Sequence, residues 1–205
     1  TGLTVNRLSD PDLSDNTVTI TVDPINDRPT LDDSTLIAAA PLVVDEDALV
    51  GLTVPAMVVG DVDEPDNVNT ELQVTLSVLN GGLIVDLSAG AALDGINSIL
   101  ATNEGDASQA PDASNANAAG SYQTIIFTGT IAELNDALTK VTYFSDHHFN
   151  TELTTMTETL SVEVNDLGYT DKDSGAVFSP SNPERLLATV AHNITVRPKN
   201  DQPIL

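Results

Sequence analysis

The chain of 205 residues is predicted to form an all-β fold, an antiparallel sandwich, from three observations. Several segments alternate between apolar and polar residues, as strands with one buried face do. Turn-forming residues separate these segments, which is the pattern of antiparallel sandwiches. One strand ending occurs twice, near the two ends of the chain, and such self-similarity indicates a tandem array of modules.

The clearest strand signal covers residues 71–78. Leu72, Val74, Leu76 and Val78 fall on one face, and polar residues fall on the other. This strict alternation predicts a strand that buries one side.

Asn-Gly-Gly follows at residues 80–82, and such residues are typical of tight hairpin turns. Residues 83–87 are therefore predicted to return as the second strand of a hairpin with residues 71–78.

Further strands are predicted where β-branched and aromatic residues cluster. In chain order they cover residues 17–22, 36–44, 49–54, 122–128, 138–144, 157–164 and 187–196. Residues 101–120 consist mainly of Ala, Asn, Ser, Asp and Gly without periodicity, so we expect a long loop there.

One short crossover helix is predicted after residue 129. Thr130 and Glu133 have the spacing of a capping box, in which each side chain accepts a hydrogen bond from the other residue's backbone amide. Ile131, Leu134 and Leu138 then share one helical face. The expected role of this helix is packing between strands.

The repeated strand ending defines the domain organisation. Residues 20–31 match residues 194–205, 174 positions later, with eight identities and no gap. In both copies a proline stops the strand, and Asn-Asp-x-Pro follows, which is turn chemistry. We interpret this segment as a joint between modules. Residues 1–25 are then the last strands of a preceding repeat, residues 26–199 one complete repeat, and residues 200–205 the start of the next.

Composition excludes several function classes. Seven Lys and Arg against 31 Asp and Glu give a net charge of -24, which repels nucleic acid and anionic membranes. The absence of Cys excludes disulfides and thiol redox chemistry. The sequence contains no apolar run of about 18 residues, the length that a membrane span needs. It also contains no nucleophile elbow, phosphate loop or assignable catalytic carboxylate pair, so we do not expect an enzyme.

The acidic residues cluster at predicted strand ends and joints rather than spreading evenly. Ca²⁺ prefers six to eight carboxylate and carbonyl oxygens, so such clusters are candidate ligand groups once the fold brings them together. They are Asn26-Asp27, Asp45-Glu46-Asp47, Asp61-Val62-Asp63-Glu64-Pro65-Asp66, Asn165-Asp166, Asp171 with Asp173, and Asn200-Asp201.

The histidines carry a weaker signal. Neighbouring residues of an extended segment point to opposite sides, so His147 and His148 are interpreted as exposed loop residues rather than metal ligands. His192 aligns with Val18 of the repeat on the inward side of its strand, so we expect a partly buried structural residue. The glycosylation sequon at Asn193 is discounted because it lies within a predicted strand.

Several short segments occur in an order shared with a known family. They are Glu46-Asp47-Ala48-Leu49, Asp61-Val62-Asp63, Gly81-Gly82-Leu83, Phe127-Thr128-Gly129-Thr130, Val141-Thr142-Tyr143, Phe149-Asn150, the run from Val162 to Gly168, and the Asn-Asp-x-Pro joint. In this order they resemble the cadherin-like tandem repeats of large bacterial RTX-type surface adhesins. The segment from Phe127 to Gly168 is also similar to chondroitin sulfate proteoglycan-type repeats.

The resemblance implies a Greek-key, cadherin- or immunoglobulin-like sandwich in a long secreted or cell-surface chain, with Ca²⁺ at the joints. Neighbouring repeats, and host-surface or matrix ligands of the adhesin, are the implied partners. The implied ligands at the N-terminal joint are Asn26, Asp27, Glu46, Asp61 and Asp63. Those toward the C-terminal pole are Asn165, Asp166, Asn200 and Asp201.

Two other functions stay open. One is a ligand-binding adhesion module, although the absence of Trp and the presence of only three Tyr and four Phe argue against glycan binding. The other is a subunit of an extracellular filament, in which residues 17–22 pair with the sheet edge of another chain.

Overall fold

A computed structural model describes residue 20 and residues 26–62, 71–85, 98–102 (backbone only), 122–153, 155–168 and 185–200. Within these ranges the chain forms eleven strands and two helices. In order they are β1 Thr30–Asp32, α1 Ser34–Ala39, β2 Leu42–Asp45, β3 Leu52–Thr53, β4 Val58–Gly60, β5 Leu72–Ser77, β6 Gly81–Val85, β7 Ser98–Thr102, β8 Thr124–Gly129, α2 Ile131–Leu138, β9 Val141–Ser145, β10 Glu158–Asn165 and β11 Leu187–Arg197.

The strands form three sheets. The largest has the order β2-β11-β10-β5-β8-β7, a second has the order β3-β9-β6, and β1 pairs with β4. Every pairing is antiparallel except that of β2 with β11, which is parallel. The predicted all-β, sandwich-like fold is therefore confirmed, and the Greek-key connection stays a prediction.

The alternation predicted for residues 71–78 is present in β5. Leu72, Val74 and Leu76 are buried, and the residues between them are half-buried. The buried set packs into one core with side chains from the other strands, including Phe127 of β8 and Tyr143 of β9. Burial of apolar area on this scale is the main stabilising contribution to such a fold.

Helix α2 begins as predicted. Thr130 and Glu133 form the capping box, and Leu134 and Leu138 are completely buried. The helix connects β8 of the six-stranded sheet to β9 of the three-stranded sheet, so it crosses between sheets.

A second helix, α1, replaces the first part of the strand predicted over residues 36–44. Leu36 is the buried residue of this helix, and the Ala-rich segment that follows favours helix over strand. Pro41 has no amide hydrogen and follows the last turn, and β2 begins immediately after it. The prediction of a single helix was therefore wrong.

The predicted hairpin of residues 71–78 with residues 83–87 was also wrong. β5 pairs with β8 and β10, whereas β6 pairs with β9 of the other sheet. Gly81 lies in β6, where a Cβ atom would come within 2.3 Å of the Phe144 carbonyl oxygen. This glycine therefore permits close approach of two strands rather than a tight turn.

Several boundaries differ from the sequence prediction. The strand predicted over residues 49–54 is reduced to β3, because Leu49 and Val50 are exposed. β1, β4 and β7 were not predicted, and β7 includes the first two residues of the predicted loop at 101–120. The rest of that loop, and the predicted strand 17–22 apart from Ile20, lie outside the described residues. None of the described helices is long and apolar enough to cross a membrane.

Candidate functional site

At one end of the six-stranded sheet, a buried carboxylate holds the N-terminal segment of the domain. Asp166 follows β10 and is 0% exposed. Its Oδ1 accepts hydrogen bonds from the backbone amides of Gly168 (2.8 Å) and Leu186 (2.7 Å). Its Oδ2 accepts a bond of 2.8 Å from Asn26 Nδ2. A buried carboxylate with three donors is well satisfied, and it fixes the position of Asn26.

The turn after β10 presents this carboxylate. Asn165 is also buried, and its Oδ1 accepts a bond of 2.8 Å from the Leu167 amide. Leu167 and Gly168 have φ of 59° and 80°, so the backbone turns back through two left-handed residues. Asn and Asp support such turns because their side chains bond backbone amides two residues later.

Two further predicted ligands lie on this side of the molecule. Asp61 follows Gly60, which pairs with Thr30 in the β1–β4 ladder, so Asp61 lies beside the segment that carries Asn26 and Asp27. Asp27 is exposed and Asp61 is half-buried. We call this end, with Asn26, Asp27, Asp61, Asn165 and Asp166, the N-terminal pole. Asp63 lies outside the described residues.

The opposite end contains a second buried carboxylate. Glu46 is 5% exposed; its Oε1 accepts a bond of 2.7 Å from the Lys199 backbone amide, and its Oε2 accepts one of 2.9 Å from Asn150 Nδ2. The Glu46 amide donates to the Arg197 carbonyl oxygen at 2.8 Å. We call this end, with Glu46, Asn150, Arg197 and Lys199, the C-terminal pole.

The structure corrects the implied grouping of the ligands. Glu46 was placed at the N-terminal joint and Asn165 and Asp166 toward the C-terminal pole; each lies at the other end. The parallel register of β2 with β11 pairs Asp45 with Arg197, near the end of β11. The antiparallel register of β10 with β11 pairs Asn165 with Leu187, at the start of β11. β11 has 11 residues, and at about 3.3 Å per residue it separates the two ends by about 33 Å.

The C-terminal pole also contains cationic side chains. The Arg197 guanidinium pairs with Asp45, with Nη2 to Oδ1 at 2.7 Å and Nε to Oδ1 at 2.9 Å. Asn200 follows Lys199 and is exposed, and Asp201 lies outside the described residues.

The donor set of the N-terminal pole fits a calcium ion better than a transition metal. Its side chains offer carboxylate and amide oxygens, and it contains no imidazole or thiolate. Asp166 uses three of about four acceptor positions of a carboxylate. Asp27 and Asp61, which are more exposed, are therefore the side chains that would supply most of the charge to an ion.

A third buried carboxylate, Glu158, was missed by the sequence analysis. It is 1% exposed, and it accepts bonds from the backbone amides of Leu79 (2.9 Å), Asn80 (2.5 Å) and Thr159 (3.0 Å). Its position in the sequence could have identified it, because Glu158 lies on the same inward side of β10 as Leu160. Burial, followed by the charge of Glu158, raises the pKa of Tyr143 above its ordinary value. Glu158 has a structural role, because it binds the connection from β5 to β6.

The histidine predictions had different outcomes. His192 is partly buried as predicted, and its Nε2 lies 2.8 Å from Asp33 Oδ2. The expectation that His147 and His148 point apart was wrong, because their ring centroids lie 3.6 Å from each other and both rings face Asp47. The segment is not extended there, since His148 has φ of 57°.

The outer face of the six-stranded sheet has an open depression lined by small polar and apolar residues and one carboxylate. It includes Thr75, Ser77, Ser161, Glu163, Thr189 and Ala191. Sugar-binding surfaces commonly present aromatic faces, and none lines this depression.

In comparisons with known proteins, no protein-family model and no curated protein matches this chain. The function is therefore argued from the geometry of the two poles.

Proposed function

We propose that the domain is a calcium-binding structural module of a long secreted or cell-surface adhesin. In this proposal, Ca²⁺ at the joints between modules holds neighbouring repeats at a fixed angle and stiffens the stalk. Neighbouring repeats of the same chain are the immediate partners, and the domain itself performs no catalysis.

One observation carries the proposal. The two copies of the joint are attached at opposite poles, each by a buried carboxylate: Asp166 binds Asn26, and Glu46 binds the backbone of Lys199. A chain that enters at one end and leaves at the other transmits force along its length, as a link in a rod must. At each joint, one buried and hydrogen-bonded carboxylate keeps the chain in a defined position before any ion binds.

Charge supports the calcium part of the proposal. A net charge of -24 destabilises a compact state by self-repulsion, and bound cations relieve it. Asp27 and Asp61 lie beside the joint on the same side of the fold. Carboxylate oxygens are the ligands that a hard divalent ion such as Ca²⁺ prefers.

The first test is thermal unfolding of residues 1–205 in millimolar CaCl₂ and in EDTA, at matched ionic strength, with MgCl₂ and NaCl as controls. Extracellular Ca²⁺ modules have a Kd of roughly 10⁻⁴ to 10⁻³ M. At ~5 mM Ca²⁺ and a Kd of ~10⁻⁴ M, each ion adds about 2 kcal/mol to the free energy of unfolding. For a chain of this size that raises Tm by about 4–8 °C.

Matched variants separate specific binding from general salt effects. The double variant Asp27→Asn and Asp61→Asn should lose the Ca²⁺ response. Glu163→Gln removes one charge from the middle of β10, where Glu163 pairs with Thr75 and Thr189, and should keep the response. An equal rise of Tm with all salts, or an unchanged Ca²⁺ response in the double variant, would contradict the proposal.

The filament hypothesis has a separate test. A stalk module stays monomeric over a wide range of concentration, whereas a strand-donating subunit assembles as concentration rises. Sedimentation velocity across that range distinguishes them.

A further inference from the structure

We propose that Asp47, His147 and His148 form a binding site for a divalent transition-metal ion, with Zn²⁺ as the principal candidate. The site lies beside the C-terminal pole, uses nitrogen as well as oxygen donors, and is independent of the calcium proposal.

The fold holds the three residues together although Asp47 and His148 are 101 positions apart. Asp47 follows the end of β2, and the two histidines follow the end of β9. The His148 amide donates to Asp47 Oδ1 at 3.0 Å, and the Phe149 amide donates to the Asp146 carbonyl oxygen at 3.1 Å. The first bond joins the turn after β9 directly to the corner after β2, and the second lies within that turn.

A buried bond next to the cluster supports the same arrangement. Asn150 and Glu46 are both buried, and they are joined at 2.9 Å by Asn150 Nδ2 and Glu46 Oε2. Glu46, next to Asp47, and Asn150, two positions after His148, therefore cannot separate without breaking a buried hydrogen bond. This gives the three ligand side chains a preorganised backbone.

The distances between ligand atoms suit one ion. His148 Nδ1 lies 3.3 Å from Asp47 Oδ2, and His147 Nε2 lies 3.9 Å from Asp47 Oδ1. One ligand atom from each residue falls within 4.8 Å of the other two. Tetrahedral zinc with bonds of about 2.0–2.1 Å requires ligand atoms about 3.3 Å apart, which is close to the two distances from Asp47 to the imidazoles.

The types of donor atom indicate which metals the site would bind. Two imidazoles with one carboxylate favour Zn²⁺, Co²⁺, Ni²⁺ or Cu²⁺, whereas Ca²⁺ and Mg²⁺ prefer oxygen alone. The side chains of His147 and His148 are 42% and 59% exposed. An ion can therefore enter from solvent, and water can complete the fourth position.

The experiment is titration of the metal-free chain with ZnCl₂ by calorimetry, and with CoCl₂ by visible absorption of four-coordinate Co²⁺. We expect one ion per chain. His147→Asn, His148→Asn and Asp47→Asn should each weaken binding at least about tenfold, and the double histidine variant should abolish it. Asn is chosen because it tolerates the left-handed backbone at positions 47 and 148.

His192→Asn is the matched control, since it removes the remaining histidine, which contacts Asp33 rather than Asp47. This variant should bind Zn²⁺ as the unmodified chain does. Circular dichroism of every variant without metal establishes that the fold is kept. In ¹⁵N spectra of the imidazoles, Zn²⁺ should shift the ring nitrogens of His147 and His148 and leave those of His192 unchanged.

Two results would overturn the proposal: no Zn²⁺ binding up to millimolar concentration, or one-to-one binding that persists in the double histidine variant. A saturating Ca²⁺ concentration should leave Zn²⁺ affinity unchanged. Failure of this site therefore leaves the calcium proposal standing, and the reverse also holds.

Discussion

Replacing Asp166 with Ala should destabilise the domain strongly, with or without calcium. The substitution removes three hydrogen bonds to a completely buried carboxylate, from Gly168, Leu186 and Asn26. Each hydrogen bond to a charged group contributes about 1.5–3 kcal/mol. Water that enters at the pole recovers part of the sum, so we expect a net loss of about 4 kcal/mol, or about 8–16 °C in Tm.

The assay is urea unfolding followed by circular dichroism, in EDTA and again in CaCl₂. Asp136→Ala is the matched control. The Asp136 side chain is 34% exposed, and it forms an ion pair of 2.8 Å with Lys140, four residues later. That pair should contribute no more than about 0.5 kcal/mol. A loss below about 1 kcal/mol for Asp166→Ala, or one equal to that of the control, would refute the view that this carboxylate anchors the N-terminal joint.

Gly81→Ala should cost about 2 kcal/mol in urea unfolding, because the new Cβ atom would clash with the backbone of β9; an unchanged unfolding midpoint would contradict the close approach of β6 and β9. Glu71→Gln tests a pH dependence, since burial, followed by the charge of Glu133, raises the pKa of Glu71 above 4.5. A raised carboxyl pKa means that the folded state binds more protons, so this group lowers stability as pH rises above its unfolded pKa. The variant should therefore be more stable than the unmodified chain at pH 7 and lose that advantage near pH 4, and a difference that does not vary with pH would refute this reasoning.

Local rules predicted the elements whose residues interact over short sequence distances. Thr130 and Glu133 of the capping box are only three positions apart in sequence. The alternation of residues 71–78 depends only on which face of one strand each side chain occupies. The parallel pairing of β2 with β11 joins Asp45 to Arg197, 152 positions away, and no local pattern shows it. For that reason Glu46 was recognised as a strand-end acid but assigned to the wrong end.

Gly81 shows a second limit. Asn-Gly-Gly has the composition of a hairpin turn, yet the chain crosses here from one sheet to the other. The structure accounts for Gly81 by the close approach of the Phe144 carbonyl oxygen instead. That contact depends on β9, which lies about 60 residues further along the chain, so no local pattern predicts it. The Asp47 cluster was missed for a related reason, because the left-handed conformation of His148 turns a segment that was expected to be extended.

At the N-terminal pole, the buried acid and the exposed acids have different roles in the calcium proposal. Asp166 is surrounded by amide donors, so it holds the joint whether or not a cation is present. Asp27 and Asp61 lie nearer the solvent, and in the calcium proposal they supply the negative charge that the ion would neutralise. Loss of Asp166 should therefore lower stability equally in calcium and in EDTA. Loss of Asp27 and Asp61 should remove only the difference between those two conditions, because an ion strengthens a joint that the buried carboxylate has already positioned.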